Sequence, residues 1–326
     1  MTYVTLGSSG LKVSKIILGC AVYGSPDWFS WVQNEEESIK QIKAAYDVGI
    51  NTFDTANARL VYSNGQSEVV LGKAIKQGSL PRDGIVIMTK VFHPVSRDVH
   101  EHLDGTETEY ADTHQYVNQY GLSRKHIFDA VKKSLERLQL DYIDVLHCQE
   151  YDTSTPIHET MKALHAVVRL GWVRYVGMSN CRAWQYYAIA NHLTPFISMQ
   201  NDYNLLYRED ENEMMPTLKY LGVASIPWTT LARGAMVMTL DEQFAQPYDG
   251  RIPGGRKGWH NTIINRVEEI ALERNVTMTQ VAIAWSLGKE RVRALIINAP
   301  ETGQLLNALA EIQYLEEPYN SQMLRH

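Results

Sequence analysis

Eight short, almost continuously apolar segments recur along the chain, each followed by an amphipathic stretch. This alternation restricts the fold more than any other feature. The segments are Lys15–Gly19, Ile50–Asp54, Ile85–Thr89, Tyr142–Leu146, Val173–Gly177, Phe196–Gln200, Val223–Pro227 and Ala294–Asn298. Their length and β-branched content predict strands buried on both faces, as in a parallel sheet covered by helices. The intervening stretches carry helix signals. Asn34 precedes three glutamates, and Ser123 precedes the stripe Ile127, Ala130, Val131, Ser134, Leu135 and Leu138. Pro156 is expected at a first helical position, and a further helix runs from Asn261 to near Asn275. Eight strand–helix units favour an α/β fold closed into a (β/α)8 TIM barrel, with residues 1–326 forming a single domain. The alternative, an open doubly wound sheet, expects Gly-x-Gly-x-x-Gly after its first strand, and Gly19-Cys-Ala-Val-Tyr-Gly24 does not match.

Two stretches interrupt the rhythm. Residues 92–122 are polar and rich in His and Asp, and residues 239–260 hold Pro247, Gly250, Pro253, Gly254, Gly255 and Gly258. Both follow strand ends, so they are expected as extra loops on the C-terminal face, where a barrel binds substrate; they are candidate lids. A surface insertion is the alternative for the first. His93, His100 and His102 fall within it, but no Cys or carboxylate spacing accompanies them, so no metal site is expected.

Composition excludes several function classes. With 31 Lys and Arg against 37 Asp and Glu, the net charge is −6, which excludes a generally basic nucleic-acid binder. Arg124-Lys125-His126 is the longest basic cluster, too small to reverse that balance. No apolar stretch approaches the length of a membrane span. Three widely spaced cysteines, Cys20, Cys148 and Cys181, fit reduced thiols in a cytoplasmic setting, and Met1–Gly10 has no leader pattern.

In a barrel, polar residues just after the strands converge on one mouth. Here they are Asp54, Tyr62, Lys90, Gln149, Ser179, Asn180, Gln200, Trp228 and Thr229. A phenol is a poor acid at neutral pH, but a neighbouring ammonium favours the phenolate. An Asp-anchored Lys beside a Tyr would therefore make the Tyr a competent proton donor to a carbonyl oxygen. A buried ion pair that only stabilises the barrel is the alternative reading of Asp54 and Lys90.

The chain resembles the aldo-keto reductases, in particular their fungal aryl-alcohol-dehydrogenase-like group. The resemblance runs from Leu11–Gly19 to Tyr314–Tyr319. It includes Gly49-Ile-Asn-Thr-Phe-Asp-Thr-Ala56, Tyr62-Ser-Asn-Gly-Gln-Ser-Glu68, Met88-Thr-Lys90 and Gly121–Ala130. Met199-Gln-Asn-Asp-Tyr-Asn-Leu-Leu-Tyr207 and Ile226-Pro-Trp-Thr-Thr-Leu-Ala-Arg-Gly234 also match. It implies a barrel that reduces a small-molecule aldehyde or ketone, aromatic or polyketide-like, with NADP(H). Asp54, Tyr62 and Lys90 then take the family's catalytic positions. Ser179, Asn180 and Gln200 match the residues holding the nicotinamide carboxamide, and Trp228 matches the aromatic stacked on its ring. Thr229, Leu231 and Arg233 match the pyrophosphate loop, while Gln304 and Asn307 match adenine contacts.

Departures from the family pattern bear on mechanism. Ala58-Arg59-Leu60 stand as an insertion between Asp54 and Tyr62, so the phenol is expected to be displaced from Lys90. Gln149 occupies the position of the family's catalytic His; it can donate a hydrogen bond but is no acid at neutral pH. His147 lies two residues earlier on the same strand face, either as a substitute or as a satisfied core histidine. Pro300-Glu301 stand where the family clasps the 2′-phosphate, which opens the use of NAD(H). Asn298 replaces a family Gly. These changes leave a second class of function open: a divergent scaffold acting as a cofactor-independent isomerase, dehydratase or cyclase, or as a non-catalytic binding protein.

Overall fold

The computed structural model describes residues 1–29, 31–58, 63–98, 116–183, 185–186, 193–245, 258–298, 302–303 and 306. It opens with a two-stranded antiparallel hairpin, β1 (Tyr3–Thr5) and β2 (Lys12–Ser14), which the apolar-run reading passed over because each strand has only three residues. Eight parallel strands follow: β3 (Ile16–Gly19), β4 (Thr52–Asp54), β5 (Val86–Val91), β6 (Ile143–Cys148), β7 (Val173–Ser179), β8 (Phe196–Gln200), β9 (Ala224–Ser225) and β10 (Leu295–Ile297). They are ordered β10-β3-β4-β5-β6-β7-β8-β9. The two ends of that order meet. Ser225 N–H donates to Arg291 O at 2.9 Å, Arg293 N–H to Ser225 O at 3.0 Å and Ile296 N–H to Pro227 O at 2.9 Å. The eight-stranded sheet is thereby closed on itself.

The expected helix starts are α1 (Glu35–Asp47), α3 (Arg124–Leu138) and α4 (Ile157–Arg169). The Asn34 side chain accepts from Glu37 N–H at 3.0 Å and Ser123 Oγ from His126 N–H at 3.2 Å, each satisfying an orphan donor of the first turn. Pro156 departs from expectation. It is extended at φ −56°, ψ 127° and caps α4 instead of opening it. Helices α2 (Gln66–Gln77), α5 (Met214–Leu221), α6 (Leu240–Ala245), α7 (Gly258–Arg274) and α8 (Met278–Leu287) complete the described set.

Side chains alternate across the sheet. Ile17, Val86, Met88, Val145, Ala224, Ile226, Ala294 and Ile296 pack together inside the barrel. Leu18, Phe53, Ile87, Leu146, Val176 and Met199 join the larger core beneath the helices. Continued to the strand ends, the inward row becomes Gly19, Asp54, Lys90, Gln149, Ser179, Gln200, Trp228 and Asn298. The excursion after β5 leaves from this same face. Its two limbs are joined at the base by Gly121 N–H to Phe92 O at 2.8 Å and by Arg97 N–H to Tyr116 Oη at 3.0 Å. Residues 99–115 of that excursion, with His100 and His102, and residues 246–257 of the second one lie outside the described residues.

Candidate active site at the barrel mouth

Asp54 ends β4 and Lys90 lies near the end of β5, and both are buried. Lys90 Nζ donates to Asp54 Oδ2 at 2.6 Å and to Thr55 O at 2.8 Å. Gln200, from the last position of β8, donates through Nε2 to Asp54 Oδ1 at 2.6 Å. Each carboxylate oxygen therefore has its own donor. Burial pushes the Asp54 carboxyl above the ordinary carboxylate value, opposed by the Lys90 charge and by the hydrogen bonds from Lys90 and Gln200. A buried ammonium held this firmly is a fixed positive charge directed at the mouth.

The chain around the pair is held by hydroxyls and a second buried carboxylate. Thr55 Oγ1 and Ser67 Oγ are 2.7 Å apart, and Ser67 Oγ donates to Cys20 O at 2.7 Å. Glu68 is fully buried in α2. It accepts from Thr89 Oγ1 at 2.5 Å and from Arg137 Nε at 2.7 Å. Asn64, left-handed at φ 50°, accepts from Ser96 N–H at 2.7 Å and donates to Asp98 O at 2.9 Å. Asn57 N–H reaches Lys90 O at 3.4 Å. Thr55, Asn64, Ser67, Glu68 and Thr89 all lie in the family-matching segments, yet nothing in the sequence marks them as supports of the pair. Tyr62 itself, with residues 59–61, lies outside the described residues, as do Pro300, Glu301, Gln304 and Asn307.

Gln149 follows β6, buried, with its N–H donating to Val91 O at 3.1 Å and its C=O accepting from Asn180 Nδ2 at 3.2 Å. Its side-chain Oε1 is buried without a hydrogen-bond partner. His147, two residues earlier, is fully buried, and its Nε2 is 2.9 Å from Ser198 Oγ. Burial, then the Lys90 charge, holds its ring well below the ordinary imidazole value, so it is neutral. Asn298 rests on Gly19, where a Cβ would meet its Oδ1 at 1.8 Å.

On the other side of the mouth, Ser179 is the register partner of Gln200, and Asn180 turns the chain at φ 41°. Trp228 Nε1 and Thr230 Oγ1 are buried without partners. Thr229 Oγ1 donates to Asp202 Oδ1 and accepts from Asn204 Nδ2 at 3.0 Å. After Leu231, three consecutive residues have positive φ: Ala232 at 47°, Arg233 at 56° and Gly234 at 99°. The turn is braced from within, by Ala232 N–H to Thr229 O at 2.7 Å and Gly234 N–H to Leu231 O at 3.0 Å, which holds two non-glycine residues in a conformation that costs free energy. The Arg233 guanidinium lies 5.7 Å from the Trp228 ring. Two of the buried polar atoms without partners, Trp228 Nε1 and Thr230 Oγ1, lie in the segment that leads into the Arg233 loop, and a third, Gln149 Oε1, lies just after β6. These residues fit a dinucleotide with an amide at one end and phosphates in the middle.

Of the aromatics after the first barrel strand, Tyr23 is fully buried and donates to Gln41 Oε1 at 2.7 Å, which makes it a core residue. Phe29 and Trp31 stack in parallel at 5.4 Å, and Trp28 meets Phe29 edge-on at 6.3 Å.

Fold and site together define a (β/α)8 barrel with a buried lysine–aspartate pair at its C-terminal mouth. Within that class, the chain belongs to the aldo/keto reductase family, whose model matches residues 15–324. It is 43% identical to a versiconal hemiacetal acetate reductase of Aspergillus parasiticus, over 98% of this chain and 97% of the relative. It is 44% identical to a putative aryl-alcohol dehydrogenase of Schizosaccharomyces pombe, over 97% of this chain and 95% of that one. An aldo-keto reductase of Alternaria alternata is 43% identical, over 98% and 92% respectively. These relationships support an oxidoreductase acting on carbonyl groups of small molecules, in a family that generally uses NADP(H). No helix among the described residues is long and apolar enough to cross a membrane.

Proposed function

We propose that this protein reduces an aldehyde or ketone, aromatic or polyketide-like, in the cytoplasm, with Tyr62 as proton donor. The observation that carries the reading is the buried Lys90–Asp54 pair, with Gln200 holding the second carboxylate oxygen. Ser179, Asn180 and Gln200 hold the carboxamide end of a nicotinamide dinucleotide, Trp228 backs its ring, and Thr229, Leu231 and Arg233 take its phosphates. Gln304 and Asn307 receive the adenine. When bound, that group supplies the hydride to the carbonyl carbon. Tyr62 gives its phenolic proton to the carbonyl oxygen, and Lys90 stabilises the phenolate left behind. Gln149 orients the oxygen by donating from its amide. His147, neutral and bonded to Ser198, stays in the barrel interior without taking that proton. Glu301 repels a 2′-phosphate and so shifts preference from NADP(H) toward NAD(H). Phe29 and Trp31 offer an aromatic surface to the substrate.

Titration of intrinsic tryptophan fluorescence with NADPH and with NADH tests this reading. Saturable quenching is expected with both, the NADPH advantage being small. Binding of neither at millimolar concentration would overturn it and leave the cofactor-independent isomerase, dehydratase, cyclase or binding role.

A further inference from the structure

Gln149 is anchored through its backbone, to Val91 and to Asn180, and its side chain is buried. No donor among the described residues reaches its side-chain oxygen: Asn180 Nδ2 donates to the Gln149 backbone, Gln200 Nε2 donates to Asp54, and His147 Nε2 lies 2.9 Å from Ser198 Oγ. A primary amide presents a donor and an acceptor side by side along one edge, whereas a ring nitrogen of neutral imidazole presents one or the other. A reacting carbonyl oxygen engages the donor alone. The amide oxygen, Oε1, is then left buried and unpaired, an arrangement that native sites avoid. Exchanging the amide oxygen and nitrogen leaves the same donor–acceptor edge.

We propose that Gln149 makes the site selective for carbonyl compounds bearing a hydroxyl on the carbon next to the carbonyl. The amide N–H donates to the carbonyl oxygen and the amide oxygen accepts from the neighbouring hydroxyl. The two contacts fix the rotation of the substrate about its C–C bond as well as its distance. This inference rests on the carbonyl-reductase reading and names the substrate class for the same site.

The test compares kcat/KM for acetophenone, 2-hydroxyacetophenone (hydroxyl on the methyl carbon) and 2-methoxyacetophenone, using the wild type and Gln149→Leu. The methoxy compound matches the inductive effect of the hydroxyl but has no proton to donate. The wild type is expected to favour the hydroxy ketone over both others by about tenfold or more, the scale of one added hydrogen bond. In Gln149→Leu the preference should shrink to within about twofold. Equal rates on the three ketones in the wild type, or a preference that survives in Gln149→Leu, would overturn this inference while leaving the reductase reading intact. Turnover of none of the three, together with failure on simple aryl aldehydes, would overturn both.

Discussion

Lys90 on β5 and His147 on β6 are direct register partners, so an ammonium and an imidazole share one layer of the barrel. Of these two, Lys90 reaches Asp54, whereas His147 turns across Gly177 to Ser198. The imidazole is neutral because burial and the Lys90 charge both disfavour its proton. The unfolded chain regains an ordinary imidazole pKa of about 6.5 and binds more protons than the native state below that pH. Stability should therefore fall as pH drops below about 6.5, by up to about 1.4 kcal/mol per pH unit from this residue. Urea unfolding at a series of pH values should show a shallower acid slope in His147→Gln than in the wild type. Equal slopes would show that His147 is protonated in the native barrel.

Gly177 leaves the space that His147 and Ser198 use. A Cβ there would lie 2.4 Å from His147 Cδ2 and 2.7 Å from Ser198 Oγ. Gly177→Ala should cost about 1–3 kcal/mol through overpacking, read as a lower urea midpoint. An unchanged midpoint would mean that the barrel interior yields more readily than its packing implies.

Glu68 and Glu290 both pair with a cation, yet their values should differ widely. Glu68 is fully buried between Arg137 and Thr89, whereas the Lys219–Glu290 pair is 59% and 62% exposed. Glu68→Ala should cost about 3–5 kcal/mol by stranding Arg137, whereas Glu290→Ala should leave the urea midpoint essentially unchanged. Denaturation of the two variants side by side checks the contrast.

Asp54→Asn replaces a carboxylate with two acceptors by an amide with one. Lys90 Nζ and Gln200 Nε2 are both donors, so the new NH2 must face one of them. The variant should lose at least about a hundredfold in kcat while cofactor affinity changes less than about threefold. Near-normal kcat would reduce the pair to a structural role.

The barrel was legible because strands buried on both faces leave an unmistakable apolar record, and Phe196–Gln200 matches its expected span. The three-residue strands of the hairpin leave almost none. The inward row was legible too: Asp54 and Lys90 follow from strand ends and period-two alternation. What the sequence did not convey was the division of labour among neighbours. Gln200 matches a carboxamide-holding position, but its donation to Asp54 depends on two strands meeting across the barrel. Glu68 reads as an ordinary acidic residue of a helix first turn. Its burial appears only when β5 and α3 pack around it. Pro156 is compatible with either a cap or a first turn, and only its ψ of 127° decides.

The most direct measurement is isotopic. The protein would be incubated with an aryl aldehyde or hydroxy ketone and nicotinamide cofactor carrying deuterium at both C4 positions, and the alcohol analysed by mass spectrometry. The account predicts one deuterium on the carbinol carbon and loss of the labelled product in Lys90→Met. An unlabelled alcohol, or consumption of the carbonyl compound with the cofactor left intact, would contradict it.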